Sequence, residues 1–75
     1  MKLSPAMVRA LRDFAEPGGH GYGEYAYLAR PTAKALRDRG LVTLSTRDLG
    51  GGRKMGWGVA TEAGVAILLE IRNAQ

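Results

Sequence analysis

The sequence predicts an α+β fold of about three helices with a two-stranded β-hairpin in its C-terminal half. Three observations predict it. Ser4-Pro5 and Thr61-Glu62 each read as a helix start, a capping hydroxyl followed by a residue suited to the first turn. Pro31 opens a run of good helix formers that stops at Gly40. Between Leu41 and Ala60 the pattern changes to alternation, interrupted by Gly50-Gly51-Gly52.

Taken in order, the first helix begins after the Ser4 cap, with Leu3 and Val8 placed as a hydrophobic staple. Met7, Leu11 and Phe14 recur at i, i+4 and i+7 with Ala10 and Ala15 beside them, while Arg9, Arg12, Asp13 and Glu16 take other faces. The helix should end by Glu16, because Pro17 disfavours helix before it and Gly18-Gly19 adds backbone freedom. Residues Pro17 to Gly23 read as a loop, and Tyr22 to Leu28 as either a short strand or a single helical turn. The second helix runs from Pro31 to Arg39, with Leu36 at its core pole, Ala29, Ala33 and Gly40 near it, and Arg30, Lys34, Arg37 and Asp38 on the far side.

Leu41 to Arg47 suits one strand, with Val42, Leu44 and Thr46 alternating against Thr43, Ser45 and Arg47. Asp48 to Arg53 reads as a mobile turn, and Met55 to Ala60 as the returning strand, with Met55, Trp57 and Val59 opposed to Gly56, Gly58 and Ala60. The last helix spans Glu62 to about Arg72. Its apolar residues cover an arc of roughly 200°, wider than the ~100° one packing contact requires, which predicts that it touches two things.

With 75 residues and no cysteine, the chain predicts one domain over 1–75, held by packing without a disulfide and suited to the cytoplasm. The longest run without a polar side chain, Ala63 to Leu69, is far short of a membrane span. Met1-Lys2 precedes no apolar stretch of signal-peptide length, so the chain is expected to remain where it is made.

Charge is the strongest functional cue. Between Arg30 and Lys54 seven basic residues stand against Asp38 and Asp48, a net +5, while the remainder carries four basic and five acidic residues, a net −1. A basic centre with near-neutral flanks points to a polyanion, and the alternative is a solubilising surface.

The order of these elements resembles a winged helix-turn-helix domain, most closely the MarR-like and PadR-like bacterial regulators. Leu36, Arg39, Gly40, Leu41 and Val42 match the junction after the recognition helix in that family, and Thr61 and Gly64 match the helix start that follows the wing. The similarity covers roughly Pro31 to Ile71. One departure is that Pro31 shortens the last helix before the junction, where the family has a scaffold helix and a full-length recognition helix. The small size is reminiscent of phage or mobile-element proteins.

The resemblance implies a DNA-binding transcriptional regulator with double-stranded DNA as partner. Thr32, Lys34 and Arg37 would meet bases from the helix, and Arg30, just before it, would meet phosphate. Arg47, Arg53 and Lys54 flank three glycines, and a flexible cationic tip can follow the phosphate backbone or enter the minor groove. The bland reading of the same residues is a solvated helix face, with Lys34 and Asp38 as an i, i+4 pair, and a soluble turn.

Trp57 is expected in core or helix packing rather than as a stacking platform, and Tyr22, Tyr25 and Tyr27 in packing or a protein contact. His20 is the sole histidine and has neither metal-ligand spacing nor a nucleophile beside it. The glycine clusters lack phosphate-cradle spacing. No enzyme activity and no cofactor are expected. The second functional expectation is a protein-interaction module that binds a transcription-machinery protein such as RNA polymerase. A weak homodimer through the 62–72 helix is the expected assembly.

Overall fold

The computed structural model describes residues 2–22 and 30–74, with Arg30 described by its backbone alone. In chain order the elements are α1 (Pro5–Phe14), β1 (His20–Tyr22), α2 (Arg30–Asp38), β2 (Val42–Gly50), β3 (Arg53–Ala60) and α3 (Glu62–Asn73). The strands form one antiparallel sheet in the order β1-β3-β2. The chain is a small α+β fold. Among the described residues no helix is long and apolar enough to cross a membrane.

The helix boundaries follow the local chemistry of their ends. The Ser4 hydroxyl oxygen accepts from the Met7 N–H at 3.2 Å, and Pro5 occupies the first turn of α1, where its missing N–H leaves no bond unmade. At the end of α2, Gly40 adopts φ +74°. Its N–H donates to the Arg37 carbonyl at 2.9 Å and the Leu41 N–H to the Leu36 carbonyl at 3.0 Å, the paired bonds of a Schellman ending. Leu41 is thereby folded back and buried beside Leu36.

Thr61 joins this junction to α3. Its hydroxyl donates to the Gly40 carbonyl at 2.7 Å and accepts from the Gly64 N–H at 3.1 Å, while its own N–H donates to the Leu41 carbonyl at 2.9 Å. Gly64 completes the contact, because a Cβ there would collide with the Leu41 carbonyl oxygen and lie 3.1 Å from Leu11 Cδ1.

The core is built from Ala10, Leu11 and Phe14 of α1, Ala33 and Leu36 of α2, and Leu41 and Val42 at the start of β2. Met7, Tyr22, Leu44, Ala60, Ile67 and Leu68 pack around it. The Leu11 and Phe14 face of α1 and the Ala33 and Leu36 face of α2 are buried as expected, while Ala15, placed beside the first, is exposed as the C-cap of α1. Ala29, assigned to the inward side of α2, lies outside the described residues, and Gly40 is exposed.

The sheet differs from expectation in three respects. First, β1 begins at His20, inside the segment read as loop. Three residues are too few for alternation to register, and the strand exists because His20, Gly21 and Tyr22 pair with Gly58, Trp57 and Gly56 of β3. The later part of the segment read as strand or helical turn lies outside the described residues. Second, the hairpin arms run further than expected, so the tip is only Gly51-Gly52 instead of Asp48 to Arg53. Gly51 and Gly52 have φ of +60° and +76°, the left-handed pair that closes a twisted two-residue hairpin. A register irregularity between Asp48 and Gly50 absorbs the odd residue, and the Asp48 carboxylate accepts from the Gly50 N–H at 2.9 Å.

Third, the small side of β3 faces the helices. A Cβ on Gly58 would fall 2.6 Å from Phe14 Cε1, and one on Gly56 would strike the Tyr22 ring. The two aromatic rings occupy the space that side chains would otherwise fill, meeting edge to face at 6.2 Å between centroids and 87° between planes. Met55, Trp57 and Val59 consequently lie on the other side of the sheet.

Candidate nucleic-acid interface

Beyond the core the hairpin stands clear of the body. Every residue from Ser45 to Lys54 is exposed, and the molecule measures 45 × 20 × 19 Å. Between this arm and α2 lies a groove of about 360 Å³, lined by Lys34 and Arg37 from the helix, Lys54 from β3, Ser45 and Thr46 from β2, and Tyr22. The alternation that sends Gly56 and Gly58 inward also brings Lys54 to this side. Asp48 and Gly56, the cross-strand partners of Lys54 and Thr46, stand on the same side. On α2, burial of Ala33 and Leu36 turns Lys34 and Arg37 outward on the adjacent arc.

Three cations from two elements therefore border one concave surface. Leu44 contributes apolar floor, and Tyr22, held over Gly56, contributes a wall. The arrangement suits an anionic, elongated ligand. Low-dielectric walls strengthen the field of the charges around them, and a phosphate-bearing backbone needs cations spaced along a channel.

Among the described residues two carboxylates stand near these cations: Asp48, opposite Lys54 in the ladder, and Asp38, whose Oδ1 lies 3.2 Å from Arg37 Nη2 and 3.4 Å from Nε. The Arg37 and Asp38 side chains are at least half exposed, at 50% and 68%, so the pair contributes at most about 1 kcal/mol and yields to a stronger anion. Asp38 thus pairs with its chain neighbour Arg37, and not with Lys34 as the alternative reading of a solvated helix face has it. Arg39 turns away and donates to the Ala35 carbonyl at 3.0 Å, capping its own helix.

The other sequence-predicted residues are distributed differently. Thr32 is half-buried in the first turn of α2. Arg30 opens that helix, and its side chain lies outside the described residues. Arg53 begins β3 opposite Gly50, beside the tip, and is exposed. Arg47 lies on the far side of the sheet, its guanidinium carbon 3.8 Å from the centre of the Trp57 ring. That stacking is worth about 0.5–1 kcal/mol at an exposed position and holds the charge away from the groove.

Trp57 itself is a correction to the expected core or helix packing. It sits on the sheet face remote from the helices, half-buried, with its Nε1–H donating to the Gly18 carbonyl at 2.7 Å. A Cβ on Gly19 or Gly21 would intrude on Trp57 or Met55, so the glycines of this segment let the backbone lie flat on the indole. His20 is engaged locally, its Nδ1 2.6 Å from the Gly21 carbonyl oxygen.

Thr46, Ser45 and Tyr22 belong to the groove although the sequence singled none of them out for it. The available signal was the hairpin register: with a two-residue tip, Thr46 and Lys54 share a face, whereas an assumed six-residue turn leaves their relation undefined. No family model, no curated protein and no solved structure matches this chain.

Proposed function

We propose that the protein is a small DNA-binding transcriptional regulator of the winged-helix type, with α2 as its recognition helix and the β2–β3 hairpin as its wing. The observation that carries this reading is the convergence of Lys34, Arg37 and Lys54 on the groove between those two elements. The sheet order β1-β3-β2, with α2 leading directly into the hairpin, supports it. So does the packing of Thr61 and Gly64 on Gly40 and Leu41, which gives the two resembling segments one physical purpose.

In this reading α2 presents its exposed face to duplex DNA while the hairpin follows the phosphate backbone, Lys54 and Lys34 acting as point charges. Arg37, on exchanging Asp38 for the ligand, supplies the planar donor suited to phosphate or guanine. Three groove cations meeting phosphates predict a log-log salt dependence with a slope near −2.7, from about −0.9 per contact. Fluorescence anisotropy with labelled duplex DNA between 50 and 200 mM salt, roughly the range over which such contacts tell, measures that slope. Absence of binding at the low-salt end, or affinity indifferent to salt, removes the reading.

A second reading, an interaction module that binds a transcription-machinery protein such as RNA polymerase, is favoured by the Arg37–Asp38 pair, which offsets part of the positive charge of the α2 face. Co-elution with purified, nuclease-treated polymerase, lost on substituting Lys34 and Lys54, distinguishes it.

A further inference from the structure

The last helix carries a feature that the groove does not use. Gly64, Ile67 and Leu68 of α3 face the core, yet Val65 and Leu69 remain 43% and 52% exposed. They border a surface cleft with Leu68, Arg12 and Arg72. Successive helical residues advance by about 100°, so Glu62, Val65, Leu69 and Arg72 fall within about 80° of arc and form a single stripe. Their spacing of three, four and three is the a-d-a-d seam of a coiled coil. All four side chains are exposed.

The order along the stripe is acid, apolar, apolar, base. We propose that this stripe is a self-complementary interface at which two copies of the chain pair α3 against α3 in antiparallel fashion, about a two-fold axis level with Ile67. In that arrangement Val65 meets Leu69 of the second copy, Leu69 meets its Val65, and each Glu62 meets an Arg72. Four side-chain layers are thereby satisfied by one sequence, as a two-fold interface requires. Parallel pairing would instead set Glu62 against Glu62 and Arg72 against Arg72. The charges therefore select the antiparallel register and disfavour the alternative.

The contact is small. Four layers on a twelve-residue helix bury less than the ~1,200 Å² at the low end of stable interfaces, so the dimer is weak and concentration-dependent. This inference stands apart from the DNA-binding reading and is tested without DNA.

Charge exchange provides the test, read by sedimentation equilibrium of the full chain over a wide concentration range, with circular dichroism to establish folding. The wild type should show a mass rising from monomer toward dimer. Glu62→Arg alone places two arginines in each outer layer, and Arg72→Glu alone places two glutamates there; each should weaken self-association at least ~10-fold. An equimolar mixture of the two variants should associate, because every outer layer then pairs opposite charges. The double variant Glu62→Arg/Arg72→Glu should associate like the wild type, which also shows that the exchange at position 62 leaves the helix intact. Leu69→Lys should be monomeric. A wild type of monomer mass throughout, single variants that associate as well as the wild type, or a mixture that stays monomeric would each overturn the proposal.

Discussion

The two faces of the β2–β3 hairpin carry similar residues to different ends. On the face toward α2, Lys54 and Thr46 line the cationic groove, with glycines behind them that admit the rings of Phe14 and Tyr22. On the opposite face, Arg47 lies over Trp57, and the indole is hydrogen-bonded to Gly18. Both faces hold a basic residue and an aromatic ring. The difference is which partner the ring finds. On the inner face it belongs to another element and fills the space over a glycine, leaving the cation directed to the groove. On the outer face it belongs to the hairpin itself and engages the cation directly. Strand parity thus separates a charge directed to the groove from a charge used in packing, although both residues are basic.

The inner face is most sensitive to change at Gly58. Gly58→Val introduces a branched side chain where even a Cβ lies 2.6 Å from Phe14, and overpacking of this kind costs about 1–3 kcal/mol. In a chain this small the melting temperature should fall by roughly 5–20 °C, from about 4–8 °C per kcal/mol, measured by circular dichroism. If the melting temperature held, the inner face would not be the packed one. On the outer face, Trp57→Phe keeps the ring under Arg47 and removes the bond to Gly18, a loss of about 1 kcal/mol, seen in denaturant unfolding as a lower midpoint at unchanged slope.

The two cations sharpen the contrast further. Lys54→Ala should leave stability within about 0.5 kcal/mol, as for an ordinary surface change, and reduce the salt slope of DNA binding by about 0.9. Arg47→Ala should do the reverse, costing about 0.5–1 kcal/mol of stability through the lost stacking while the slope changes less than for Lys54→Ala. Equal effects of the two on the slope would show that the ligand reaches both faces and that parity does not sort their roles.

Much of this molecule was legible along the chain. Ser4 and Thr61 cap helices because a hydroxyl reaches an N–H three residues ahead, and Gly40 ends one because it alone tolerates the left-handed turn there. The buried faces of α1 and α2 follow from spacing around one helix, and the central excess of positive charge from counting. Each depends on residues a few positions apart, whose relation is settled before anything else folds.

What lay beyond the sequence depends on partners far away in the chain. Alternation in β3 divides its side chains into two sets but does not say which set is inner, because a period of two is symmetric; Trp57 was expected in core or helix packing, whereas Phe14 and Tyr22 already fill that space. The strand at His20 exists only through pairing with residues more than thirty positions on. The sharing of one groove by Lys34, Arg37 and Lys54, with Arg47 on the other face, required both the two-residue tip and the packing of α2. Local chemistry therefore determined the elements and their ends, and tertiary packing decided which of their faces meet, since register and parity acquire meaning only against a second surface.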